Sequence, residues 1–127
     1  MKKFAFIIAS LLLLSTNGYS QSAKEDIIGV WINEHNDSKV EYYIGADSLF
    51  YGKLVWVKEA KHQDRVGLVF IKGMKYDSQS NTWKTDYMFS PDHNMVAKGV
   101  LRLEDGILYV KGRKFGISAT ERFTRVN

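Results

Sequence analysis

From residue 27 onward, apolar and polar side chains alternate in short runs, and no stretch keeps apolar positions three to four residues apart for three helical turns. A period of two puts successive side chains on opposite faces of a sheet, so the chain reads as strands throughout. The runs are residues 27–32, then Val40, Tyr42 and Ile44 alternating with Glu41 and Tyr43. Residues 48–57 carry Phe50, Gly52, Leu54 and Trp56 on an uncharged face. Residues 68–76 follow, then Trp83, Thr85, Tyr87 and Phe89 alternating with Lys84 and Asp86. Met95, Ala97, Gly99, Leu101 and Leu103 share a face opposite Lys98, Arg102 and Glu104. Residues 107–112 and 120–126 bring the strands to about eight. Between Gly67 and Tyr76 the facing is open, because a single bulge there would invert every side chain.

The breaks are short and carry turn chemistry. Gly45-Ala46-Asp47, residues 77–81, Pro91-Asp92-His93-Asn94 and Glu104-Asp105-Gly106 suit hairpins between neighbouring strands. Residues 59–67 are longer and charged, and are expected to form a mobile loop. A series of antiparallel hairpins must deal with its two edges, and closing the sheet on itself removes them. The expected fold class is therefore all-β, a small antiparallel up-and-down β-barrel of about eight strands; a two-sheet sandwich would use the same strands. With 127 residues, the chain has room for one domain.

The first residues read as an address. Met1-Lys2-Lys3 gives a positive start, residues 4–14 are apolar except for Ser10, and residues 15–20 are small or polar. This is the pattern of a secretory signal peptide, and the apolar run is too short to span a bilayer, which takes about 20 residues. Cleavage is expected near Ser20-Gln21, giving residues 1–20 as signal peptide and 21–127 as a single barrel domain, periplasmic or secreted. No transmembrane segment is expected after cleavage. The chain contains no cysteine, which rules out a lipid anchor on the new terminus, disulfides, thiolate zinc sites and thiol catalysis. Removing Lys2 and Lys3 lowers the formal net charge of +4 by two, too little for a dedicated nucleic-acid binder.

Gly29-Val30-Trp31 on the first strand, with Arg125 on the last, resembles the calycin or lipocalin signature, in which a tryptophan packs beneath an arginine and plugs one barrel end. More of the chain resembles a bacterial exported family known as a domain of unknown function, DUF2147. That likeness rests on Gly29-Val30-Trp31, Gly52-Lys53-Leu54-Val55-Trp56-Val57-Lys58, Gly67-Leu68, Trp83, Pro91-Asp92-His93-Asn94, Leu108-Tyr109-Val110-Lys111-Gly112 and Phe123-Thr124-Arg125-Val126. The chain departs from the family pattern where residues 59–66 are shorter and lack an Asp-x-x-Asn-Pro stretch. Asn94 and Phe123 stand where glycine and tryptophan are usual. The resemblance implies a lipocalin-like barrel and no established activity, with Gly29, Trp31 and Arg125 as structural closure.

The chemistry-bearing residues form no familiar constellation. His35, His62 and His93 lie in or beside polar turns; His35 with Asp37, or Asp92 with His93, are the nearest approach to metal ligands, and no metal or cofactor is expected. A phosphate-cradling glycine loop and a glycine-flanked serine are both lacking. An enzyme acting inside the barrel, such as a small hydrolase or isomerase, would need an inward His, Asp or Glu, and the alternation places none there. A non-catalytic role is favoured. Lys111-Gly112-Arg113-Lys114 with Tyr109 and Phe115 is the main basic-aromatic cluster; it reads as a solvated hairpin end, with anionic lipid or a carboxylate ligand as alternatives and nucleic acid disfavoured. An eight-stranded barrel either fills with side chains or holds one small ligand. Trp56, Tyr87, Tyr109 and Phe123 are the expected lining for a small hydrophobic or amphipathic ligand, with residues 59–67 as a lid. The competing reading is an envelope protein-interaction module with a solid aromatic core, betrayed by an exposed apolar patch or a free strand edge.

Overall fold

A run of hairpins leaves two edge strands, and this chain removes both by pairing its first strand with its last. The computed structural model describes residues 23–126, so the expected leader at 1–20 lies outside the described residues. A 3-10 turn, Ala23–Glu25, leads into β1 (Gly29–Asn33), β2 (Ser38–Ile44) and β3 (Phe50–Val57). A second 3-10 helix, Ala60–Arg65, precedes β4 (Val69–Asp77), β5 (Thr82–Ser90), β6 (Met95–Glu104), β7 (Ile107–Lys114) and β8 (Ile117–Arg125). Each strand pairs antiparallel with the next, and β8 returns to β1 through Trp31↔Arg125, Ile32↔Thr124 and Asn33↔Phe123. The result is a closed up-and-down barrel of eight strands, not a sandwich.

One end of the barrel is solid. Trp31, Tyr42, Phe50, Met74, Trp83, Leu101 and Leu108 are buried there, beneath Ile27 from the N-terminal segment. Both buried indoles need an acceptor, and the same segment supplies it: Trp31 Nε1 donates to Ile27 O at 2.9 Å and Trp83 Nε1 to Lys24 O at 3.0 Å. Truncating either tryptophan to alanine would cost about 3–5 kcal/mol. Arg125 covers this end. Its guanidinium carbon lies 4.3 Å from the Trp31 ring centroid, while Nη1 donates to Ile28 O at 2.9 Å and Nη2 to Asp26 O. Gly29 leaves the room: a Cβ there would sit 2.8 Å from Arg125 Nη1, on a backbone at φ +128°.

Bulges decide which side chains point inward. Lys39 pairs with Trp56 but Val40 pairs with Leu54, which leaves Val55 unmatched, so Trp56 turns outward and Val57 inward. On β5, Thr85 pairs with Gly99 and Met88 with Ala97, so Tyr87 turns outward and Met88 inward. On β4, Gly73 at φ 67° separates Ile71 and Met74, both buried although three residues apart.

Residues 59–67, expected as a mobile loop, instead hold the 3-10 helix Ala60–Arg65. The segment is tied down because its polar groups find partners: Gln63 Nε2 donates to Val57 O at 3.1 Å, and Arg65 reaches Asp92 across the opening at 2.9 Å.

Candidate functional site

The end opposite Arg125 is hollow. A cavity of about 690 Å³ opens there among the β1–β2, β3–β4 and β5–β6 connections. Gly112 on β7 lines it, and the Met88 side chain, packed over Gly112 and over its cross-strand partner Gly99 on β6, fills the room those glycines leave and closes the inner end. A flexible thioether is suited to closing an irregular floor of this kind. Val40, Leu54, Phe70, Met88, Val110 and Phe123 supply its apolar lining.

One wall is polar. Asn33 is buried, and its amide nitrogen donates to Asp37 Oδ1 and to Glu121 Oε2, the latter at 3.0 Å. Its oxygen accepts the backbone N–H groups of Asp37 at 2.9 Å and Ser38 at 3.2 Å. The amide is then fully used, while the two carboxylates it bridges keep free lone pairs toward the cavity. Glu121 faces inward because β8 alternates regularly: it pairs with Val110, and Phe123 and Arg125 share its face. Charged groups continue to the rim, where Arg65 pairs with Asp92 at 2.9 Å and His62 stands 3.6 Å from Glu59.

Tyr42 lies deeper than this wall, its ring against Gly52, where a Cβ would come within 2.9 Å of Cε1. Its hydroxyl is buried and has no hydrogen-bond partner among the described residues. Burial first, and then the negative charge of Glu121, push its ionisation far above the usual tyrosine range, so it is held as a neutral hydroxyl.

Of the aromatics expected in the lining, only Phe123 is there, 4% exposed and paired with Leu108. Trp56, Tyr87 and Tyr109 stand on the outer surface beneath cations. Lys39 Nζ lies 4.9 Å from the Trp56 ring, which is 37% exposed, and Lys72 Nζ lies 4.9 Å from Tyr87. Tyr109 sits between Arg102 and Arg122, its cross-strand partners, at 4.4 and 5.8 Å. The first two were turned outward by the bulges at Val55 and at Asp86-Tyr87. Tyr109 lies on the face opposite Leu108 and Val110, where simple alternation puts it.

Gly29, Trp31 and Arg125 come together at the solid end. The expectation that no acid faces inward is corrected by Glu121, whose signal was its spacing of two from Phe123. Asn33 and Met88, neither of them expected there, also line the cavity, and so does Asp37, weighed above only as a metal ligand with His35. Among the described residues, no three His, Asp or Glu side chains gather as metal ligands.

No curated protein and no solved structure matches the chain. A family model described as an uncharacterized protein conserved in bacteria matches residues 29–125. Those limits run from the glycine that makes room at the solid end to the arginine that fills it, and the chain belongs to that bacterial family, DUF2147.

Proposed function

We propose that this protein is an exported, non-catalytic carrier that holds one small amphipathic molecule in the cavity. The observation that carries the reading is the cavity itself: about 690 Å³, within the usual range for small-molecule sites, with an apolar floor and one polar wall. The apolar part of the ligand lies against Phe70, Met88 and Phe123. Its polar end, bearing hydrogen-bond donors, meets the free lone pairs of Asp37 and Glu121. The leader-like residues 1–20 support export, and the likeness to lipocalins supports a carrier.

Native mass spectrometry of the protein isolated from its own cell envelope tests this. A bound small molecule is expected to survive in the wild type and to be lost in Ala119→Trp. Ala119 lines the upper cavity and is exposed, so an indole there obstructs the mouth without entering the core. Absence of any retained molecule in the wild type, or equal retention in both proteins, would overturn the reading.

A further inference from the structure

At the mouth the β7–β8 hairpin extends past β1, its neighbour on the β8 side. Pairing of β8 with β1 stops at Asn33↔Phe123, and one further bond, from the Glu34 N–H to Arg122 O at 2.9 Å, continues it. From there to the tip, residues 117–121 pair only with β7, and 117–120 are exposed.

The tip is apolar. Phe115 is 84% and Ile117 75% exposed, while the other exposed large apolar side chains among the described residues range only from 37% to 42%. The turn has Phe115 at φ 53° and Gly116 at φ 75°, the two-residue geometry that favours Asn or Asp at its first position. At the opposite end of β7, Asp105 at φ 53° and Gly106 at φ 79° meet the same demand with suitable residues. A bulky residue at positive φ is unfavourable, and the Phe115 ring gains little within the fold, its close cation being Lys114 at 5.3 Å. Phe115 is thus costly locally and contributes nothing to the core.

The surface behind the tip is basic. The outer face of β6 to β8 carries Lys98, Arg102, Lys111, Arg113 and Arg122, with Glu104 paired to Arg102 at 3.2 Å. Among the described residues, Lys98, Lys111, Arg113 and Arg122 form no ion pair. An apolar point backed by unpaired cations complements a bilayer whose headgroups are anionic: rings and aliphatic chains enter the interface while the cations lie against phosphate.

We propose that the Phe115–Ile117 tip, with the basic outer face of β6 to β8 behind it, docks the barrel on a membrane surface bearing anionic lipid. The test is flotation with phosphatidylcholine vesicles, with and without phosphatidylglycerol, at low and high salt. The wild type is expected to float with the phosphatidylglycerol vesicles at low salt and to be released by salt. Phe115→Asn supplies the discriminating readout. It relieves the turn, so thermal stability should hold or rise, while vesicle affinity falls by roughly tenfold. Ile117→Ser and the pair Lys111→Gln/Arg113→Gln should weaken binding without unfolding the protein. Failure of the wild type to float, or flotation unchanged in F115N and I117S, would overturn the proposal. So would crosslinking of the tip to an envelope protein in place of lipid. None of these outcomes bears on whether the cavity holds a ligand, because occupancy is read separately.

Discussion

Replacing Tyr42 by phenylalanine removes one oxygen atom from the middle of the barrel and is expected to make the protein more stable. The hydroxyl has no exposure and no partner among the described residues, so folding strips it of water and returns nothing. An unsatisfied buried hydroxyl costs about 1–3 kcal/mol, and phenylalanine keeps the ring against Gly52. After allowing for the contacts of the lost atom, a gain of about 1–2 kcal/mol is expected at neutral pH, or roughly 5–10 °C in Tm for a domain of this size. The pH dependence sharpens the test. Above the ordinary tyrosine value of 10.0, the unfolded chain ionises Tyr42 while burial and Glu121 hold the folded one neutral. A raised folded pKa gives stability that is present below the unfolded value and lost above it, at up to about 1.4 kcal/mol per pH unit. Y42F lacks that loss, so its advantage should widen on the alkaline side. Urea denaturation followed by circular dichroism, near neutral pH and again above pH 10.0, reads both effects. An unchanged or lowered midpoint at neutral pH, with the same slope, would show that the hydroxyl has a partner and refute the argument.

Other substitutions test the two ends separately. Asn33→Ala leaves the Asp37 and Ser38 N–H groups without their acceptor and unlinks the two carboxylates, and should cost about 2–3 kcal/mol in urea denaturation; a loss well below this would mean water replaces the amide. Gly29→Ala places a methyl 2.8 Å from Arg125 Nη1 on a backbone at φ +128°. It should displace the guanidinium from Trp31 and cost about 2 kcal/mol, with a change in tryptophan fluorescence; an unaltered spectrum and midpoint would show that the arginine is not seated by that glycine.

Alternation and turn chemistry made the eight strands and their order legible, because both are local properties of the chain. The contents of the barrel were legible only where a strand ran without interruption. On β6, Gly99 and Leu101 lie inward as the pattern required. On β3 and β5, a single extra residue reversed the faces, and nothing local in Val55 or Asp86 announces where a ladder will slip; that choice belongs to the neighbouring strand and to closure of the whole sheet. Glu121 is a different case. With Phe123 expected in the lining and Arg125 at the closure, counting back two residues would have placed the carboxylate beside them, a step the expectation of no inward acid did not take. The floor of the cavity rests on Met88 packing over Gly99 and Gly112, whose pairing depends on strand register and cannot be read from either strand alone.

The ladder between β1 and β8 matches only three residue pairs, against seven between β6 and β7, and it joins segments almost a full chain length apart. Joining such distant segments is entropically expensive, so this seam should zip last during folding and unzip first during native fluctuations. Asn33 and Glu121 stand on its two sides, which means that a transient parting of the first and last strands would open a slit through the flank of the barrel, directly onto the polar wall. A guest trapped in such a vessel need not leave by the rim.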